Sequence, residues 1–358
     1  VAVEPKTSEV SEVELALHLS GGTVRDERAL HDRFGVGDDW CHQPPDAWRQ
    51  AGLSPGLIAR LAEQVSLSAA RVELRRCREL GISLVSARHA DYPATLMHLH
   101  RPPLVLSVKG RWPPARQTLA IVGARAATGL GRRTAALFAT RAVELGVPVI
   151  SGLARGIDRW ALAAAVDSGG WALGVLGCGI DVAYPRENRE LQQQMAHCGT
   201  LISEFPLGMR PDRWTFPRRN RIIAALSQAV LVIEAGVRSG ALITASHALE
   251  LGREVWAVPG AIDAELSAGC NRLILDGALP AIGVELLGEF LGIAQTGSPG
   301  SAACSDPLLA ALGDSSLSVD ELSVAAGIDA RSTAAKLMAL QLEGRVRRLA
   351  GGRYVRRR

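Results

Sequence analysis

No two cysteines in this 358-residue chain form a C-x-x-C pair. The six present, Cys41, Cys77, Cys178, Cys198, Cys270 and Cys304, are scattered without ligand-like spacing. That argues against structural zinc and against a disulfide framework, and fits a reducing compartment. There is also no run of about 18 apolar residues that could span a membrane. The opening VAVEPKTSEV lacks a basic stretch followed by an apolar one, so no secretory leader is expected. A cytoplasmic protein without membrane partners is the expectation. Net charge is small, +4, so any affinity for anions must come from where arginines cluster. A chain of this length with 47% hydrophobic residues can bury a large core and is long enough for two or three domains.

Three segments follow one another. Residues 1–80 read as short helices broken by turns, with SEVELALHLSGG, RDERALHDRFGVG and LSPGLIARLAEQV as the pieces. Such a bundle is either a helix-hairpin-helix-like or SAM-like DNA module or a scaffolding domain. From GISLVS onward, over 81–294, strands alternate with helices. TLAIVGA, VPVISGL, WALGVLG, TLISE, AVLVIEA, EVWAVPG and ALPAIG are continuous apolar runs without in-out alternation. Strands covered by helices on both faces read this way, so the fold class is α/β: an extended Rossmann-like, doubly wound, mostly parallel sheet. A Gly/Ser/Pro linker over 295–306 leads into 307–358, where two helices and a hairpin around Gly351-Gly352 predict a winged helix. Its end carries Arg331, Lys336, Arg345, Arg347, Arg348, Arg353, Arg356, Arg357 and Arg358 against Glu343. That stretch is either a nucleic-acid face or a solvated tail.

In an open parallel sheet the ligand crevice lies outside the carboxyl ends of the strands. The residues there are glycines, arginines and aromatics. SGLARGID supplies Ser151, Gly152, Arg155, Gly156 and Asp158, and SGALIT supplies Ser239 and Gly240. Both carry Ser and Gly into the first turn of a helix, a backbone arrangement suited to phosphate oxygens. Arg125, Arg155, Arg186, Arg218, Arg219, Arg221 and Arg238 ring the same edge, interleaved with Tyr184, Trp214 and Phe216 as stacking faces. Singly, each feature is more simply a tight turn or a surface residue; together they describe a groove for single-stranded nucleic acid. GLGRRT (129–134) mimics a dinucleotide turn, but it comes late after its strand, has Thr134 for the third glycine, and is preceded by Arg125 where pyrophosphate would meet backbone. No nucleophile–base pair and no metal-ligand cluster can be read from the spacing, so neither catalysis, metal nor cofactor is expected.

The blocks SGLARGID, VLGCGIDVAYPRENREL, SEFPLG, FPRRNRIIAALS and VIEAGVRSGALITASHALELGREVWAVPG, in this order, resemble the DprA (Smf) family, the DNA-processing proteins of bacterial natural transformation. The resemblance runs from ADYPATLMHLHRPPLVLSVKG to NRLILDGA. It implies a non-enzymatic, cofactor-free protein that binds single-stranded DNA, protects incoming strands, forms a homodimer and loads the RecA recombinase. Carried over by position, the DNA pocket would comprise Arg125, the loop Ser151 to Asp158, Phe216, Arg218, Arg219 and Asn220 of FPRRN, and Ser239 and Gly240. The dimer would use the stretch NRLILDGALPAIGVELL, which equally suits an ordinary core strand and helix.

The chain departs from the family pattern at Ala161-Leu162, where the family usually has Ala-His, and at Ala124 and Thr128 in the first turn. SGALIT stands for SGSLIT, and GCN for GTN. These swaps leave the glycines and arginines intact. Two rival readings are a phosphoribohydrolase of the lysine-decarboxylase-like type, with Glu234 as its acid, and a winged-helix regulator of duplex DNA. Against the first, its PGGxGTxxE block is absent and the loop 213–221 is longer than a mononucleotide requires.

Overall fold

A strand such as LAIV has no polar face to offer water, so it must be covered on both sides. The computed structural model describes residues 10–64, 67–112, 117–293, 307–312, 316–342, 345–349 and 352–356. Its main sheet consists of β1 (Ser83–Ser86), β2 (Val105–Gly110), β3 (Leu119–Val122), β4 (Val149–Ser151), β5 (Ala172–Val175), β6 (Thr200–Ser203), β7 (Ala229–Val232), β8 (Glu254–Ala257) and β9 (Leu279–Pro280). Their spatial order is β1-β2-β6-β5-β4-β3-β7-β8-β9. Neighbours from β6 through β9 are parallel. β2 pairs antiparallel with both β6 and β1.

The helices are α1 (Glu12–Leu19), α2 (Val24–Phe34), α3 (Pro45–Gln50), α4 (Pro55–Gln64), α5 (Leu67–Glu79), α6 (Gly129–Glu144), α7 (Ile157–Asp167), α8 (Arg189–Cys198), α9 (Thr215–Leu226), α10 (Gly240–Glu250), α11 (Ala268–Leu275) and α12 (Leu287–Phe290). Alternate residues of β3 enter different cores, as the two-residue period of a strand requires. Leu119 and Ile121 pack with Ala135 and Phe138 of α6 and Leu162 of α7. Ala120 and Val122 pack with Ile222 of α9 and with Ala241 and Ala245 of α10. The chain leaves β3 towards β4, β5 and β6, then returns to lay β7 on the other side of β3 with Val122 opposite Val232. The strand order therefore reverses between β3 and β7, which fixes the ligand crevice of such a sheet at their carboxyl ends.

The N-terminal helices belong to the same compact unit as the sheet, Val1–Ile293. Leu17, Leu30 and Leu61 are completely or almost completely buried in the core shared with Leu119 and Ile121. Polar ties reinforce the packing: Glu73 accepts from the Leu207 N–H at 2.7 Å, Glu14 accepts from Ser86 Oγ, and Arg88 pairs with Glu27. Burial raises the Glu14 carboxyl above its ordinary value.

The second unit, Ala294–Arg358, holds α13 (Pro307–Leu312), α14 (Val319–Ala326), α15 (Ala330–Leu342) and an antiparallel pair, β10 (Val346–Arg348) and β11 (Tyr354–Arg356). Ser318 and Glu321 form a reciprocal capping box at the start of α14, and Gly327 closes it in the left-handed conformation at φ 65°. Leu308, Leu312, Leu322, Leu337, Leu340, Val346 and Tyr354 make its core. Helices followed by a hairpin match the winged-helix expectation, with α13 an addition to it. Of the basic residues, Arg331, Lys336, Arg345 and Arg347 are exposed, whereas Arg353 is used internally on Glu321 at 3.1 Å and on the Ser316 carbonyl. The linker at 295–306, Glu343, Gly351, Arg357 and Arg358 lie outside the described residues.

Candidate nucleic-acid interface

The turn after β3 explains why an arginine stands where a dinucleotide site has glycine. Gly123 is where the backbone is crowded: a Cβ there would lie 2.6 Å from Ile157 and 2.9 Å from the Glu234 carbonyl. Two residues on, the Arg125 side chain is exposed, and its guanidinium lies 4.7 Å over the centroid of the Phe216 ring. Tyr184 follows, 5.8 Å from Phe216 and tilted by 33°. Cation, ring and ring form one stacked series of the kind that accepts nucleobases.

This series stands between two clefts. The larger, about 810 Å³, lies at the β3/β7 crevice and runs from Gly123–Ala126 across Phe216 and Asn220 to the start of α10. The smaller, about 200 Å³, is floored by Gly152, Leu176 and Gly177 and reaches Arg155 and Tyr184. Arg125, Phe216 and Arg219 line both. Arg213 and Arg238 join Arg125 on the larger cleft, all three exposed. None of the three has an ion-pair partner among the described residues.

The start of α6 is closed to a diphosphate. Thr128 caps the helix by accepting from the Gly131 N–H at 3.0 Å. The Glu234 carboxylate accepts from the Thr128 N–H at 2.9 Å and from its hydroxyl. Gly131 makes room for that carboxylate, since a Cβ there would approach it to 2.3 Å. A protein anion thus occupies the helix N-terminus where a Rossmann turn would hold pyrophosphate. Both oxygens of the Glu234 carboxylate are thereby engaged by Thr128.

The SGLARGID loop is also self-satisfied. Buried Ser151 donates to the Ile121 carbonyl at 2.6 Å. Asp158, 6% exposed, accepts from the Gly152 and Ala154 N–H groups at 3.1 and 3.4 Å, so its own carboxylate fills the loop's anion cradle. Gly156 adopts φ 71°, and a Cβ there would lie 2.1 Å from the Ala124 carbonyl; only glycine lets this loop cross the turn that bears Arg125. Arg219 is 3% exposed and donates to the Gly152 and Val175 carbonyls and, at 3.1 Å, to Asn220 Oδ1. Burial pulls its pKa down to about 10 despite the nearby Asp158, and burial raises Asp158 despite the nearby guanidinium. Arg219 therefore bolts α9 to the ends of β4 and β5 beneath the stack.

The remaining sequence-derived positions divide. Ser239 caps α10, accepting from the Ala241 N–H at 3.3 Å, and Gly240 has open space about it, so both present a helix start to the larger cleft. Asn220 ties α9 to α10 through the Gly240 carbonyl at 3.2 Å. Arg155 is exposed and paired with Glu187, and Arg186 is exposed on the same turn as Glu187. Arg218 points to the other side of α9, where it pairs with Glu204 at 3.2 Å and packs on Phe205 and Trp214. The sequence motifs do not single out Arg213, and they offer Glu234 only as the acid of the rival phosphoribohydrolase reading. The place of Arg213 on the larger cleft shows only in the fold, as does the hydrogen bond spanning 106 residues that holds Glu234 on Thr128.

Among the described residues no group of His, Cys, Asp and Glu is placed to hold a metal ion, and no helix is long and apolar enough to cross a membrane. Protein Smf of Synechocystis sp. is 42% identical over 193 residues, a match covering 52% of this chain and 48% of that protein, so the chain matches about half of that relative's length. The X-ray structure of DNA processing protein A from Streptococcus pneumoniae superposes with a TM-score of 0.67 at 31% identity, covering 79% of this chain and 99% of that one. The structure of DNA processing protein A from Helicobacter pylori, which describes that protein's single-stranded DNA binding mode, shares the fold at a TM-score of 0.52, 24% identity, and 59% and 94% coverage. The family model of DNA recombination-mediator protein A matches residues 83–291, and that of the DprA winged helix domain matches 294–352. With more than half its length inside the first model, the chain belongs to the DprA/Smf family of DNA recombination-mediator proteins.

Proposed function

We propose that this protein binds single-stranded DNA along the β3/β7 crevice, and that it protects incoming strands and delivers them to the RecA recombinase without catalysing a reaction of its own. The observation that carries the reading is the exposed Arg125 guanidinium stacked on Phe216 between two clefts. A single strand supplies the two things this arrangement takes: phosphates for Arg125, Arg213 and Arg238, and unpaired base faces for the Tyr184–Phe216–Arg125 series. Duplex hides its base faces and fits worse. The H. pylori relative's described binding mode supports the same ligand class.

The test is oligonucleotide binding by strandedness and salt. Single strands are expected to bind more tightly than duplex of equal length. Arg125→Gln is expected to lower the slope of log affinity against log salt by roughly 0.7, the value of one neutralised phosphate on a single strand. An unchanged slope and affinity in that variant would refute the assignment.

The open edge of the sheet supports a homodimer. Among the described residues β9 pairs only with β8, and Leu275, Leu279 and Ile282 are exposed beside it. An apolar row on an unpaired edge is covered in a stable protein. Ile282→Arg is expected to convert dimer to monomer in light scattering; a dimer that survives it excludes this surface.

A further inference from the structure

α9 carries a second set of groups on its other side. Successive residues of an α-helix are turned by about 100°, so Arg218 faces away from Phe216, two positions earlier. It faces a cleft of about 580 Å³ between the N-terminal helices and the ends of α9 and α10. Arg25, His98, His100, Arg101, Arg218 and His247 line it. None of this cleft overlaps the residues of the β3/β7 crevice.

Its chemistry is that of an anion site. Arg221 is the fourth arginine on its wall, and among the described residues the only carboxylates there are Glu204 and Glu250. Glu204 is buried between Arg218, at 3.2 Å, and Arg221, and His247 Nδ1 meets Glu250 at 3.1 Å. Four guanidiniums against two carboxylates leave an excess of positive charge. Arg25, His98 and His100 are exposed and have no hydrogen-bond or ion-pair partner among the described residues. Neutral imidazoles still offer ring N–H donors to phosphate oxygens. His18, by contrast, is committed to the fold: its Nδ1 accepts from the Val105 N–H at 3.3 Å, and burial lowers its pKa to about 4.

The two clefts share their walls. The start of α10, Ser239 to Thr244, lines the crevice, and its end, His247 to Leu251, lines the second cleft. They lie on opposite sides of α9, a separation of about 10–12 Å, the thickness of one helix. Trp214, at the N-cap of α9, is half exposed, lies 5.9 Å from the Arg218 guanidinium and meets the Phe205 ring edge-on at 5.9 Å. A chain of phosphates leaving the Phe216 stack therefore finds an aromatic ridge and then a basic cleft.

We propose that this cleft is a second phosphodiester subsite, which holds the same single strand after it passes Trp214. The inference rests on the single-strand reading of the crevice and extends it. The test compares oligothymidylates of roughly 4 and roughly 16 nucleotides, the range of single-strand site sizes, on the native protein and on the triple variant Arg25→Gln/His98→Gln/His100→Gln. All three residues are exposed and outside the crevice, so thermal unfolding is expected to match the native protein. The variant is expected to bind the short strand as the native protein does and the long strand about 5- to 30-fold more weakly, with a salt slope lower by roughly 0.7 for each phosphate it no longer neutralises. Native-like binding of the long strand by the variant overturns the subsite, as does an equal weakening on both lengths. A native protein that binds neither length fails earlier, at the crevice itself, and takes the subsite with it.

Discussion

Phe216→Ala is expected to weaken single-strand binding by about 1–3 kcal/mol, roughly 5- to 150-fold, measured by fluorescence anisotropy with an oligothymidylate. Two losses combine. The base loses its stacking face, and Arg125 loses the ring that holds its guanidinium 4.7 Å away in a defined plane. The second loss separates this site from a simple basic patch, because the variant keeps every positive charge. The salt slope is therefore expected to stay near native while affinity falls. A fall in slope comparable to that of Arg125→Gln would mean that Phe216 acts only by placing the arginine.

Arg219→Met is expected to cost about 3–5 kcal/mol of folding stability, read from denaturant unfolding, rather than act mainly on the ligand. The guanidinium it removes is buried, bridges the Gly152 and Val175 carbonyls, and is the positive neighbour of buried Asp158. Two carbonyls lose their donor, and a carboxylate loses its compensating charge. The pH dependence has a definite sign. Asp158 already titrates above its ordinary 3.8, and loss of the cation pushes it higher. A carboxyl raised in the folded state contributes stability at low pH that is lost as pH rises from the ordinary value through the raised one. The deficit of the variant is thus expected to narrow on acidification and widen towards neutrality. A variant that unfolds like the native protein at pH 7 would show that Arg219 belongs to the rim.

Much of the sheet was legible because buried parallel strands leave uninterrupted apolar runs, and β3 to β8 carry them. β2 escaped notice: it is an antiparallel insertion behind Pro102-Pro103, with no crossover helix of its own to announce it. α13 was hidden in the same way by its brevity, six residues after a linker. At the site, sequence could gather arginines onto one edge but not tell outward from inward. Arg218, Arg219 and Asn220 are consecutive, yet the first serves the second cleft, the next is the internal bolt, and the third ties two helices. That division is set by the 100° step of α9 and by which strand ends lie beneath it, and neither is written in the residue types.

Glu234 has a consequence for life in a crowded solution. Cells are rich in free dinucleotides and nucleoside triphosphates, and an open strand-turn-helix with a vacant N-terminus would collect them. Here the chain brings its own carboxylate to that position, so such metabolites meet repulsion where the fold would otherwise welcome them. Arg125, Arg213 and Arg238 line the neighbouring cleft instead. On the single-strand reading proposed above, this one acidic side chain disfavours lone nucleotides before any base is inspected.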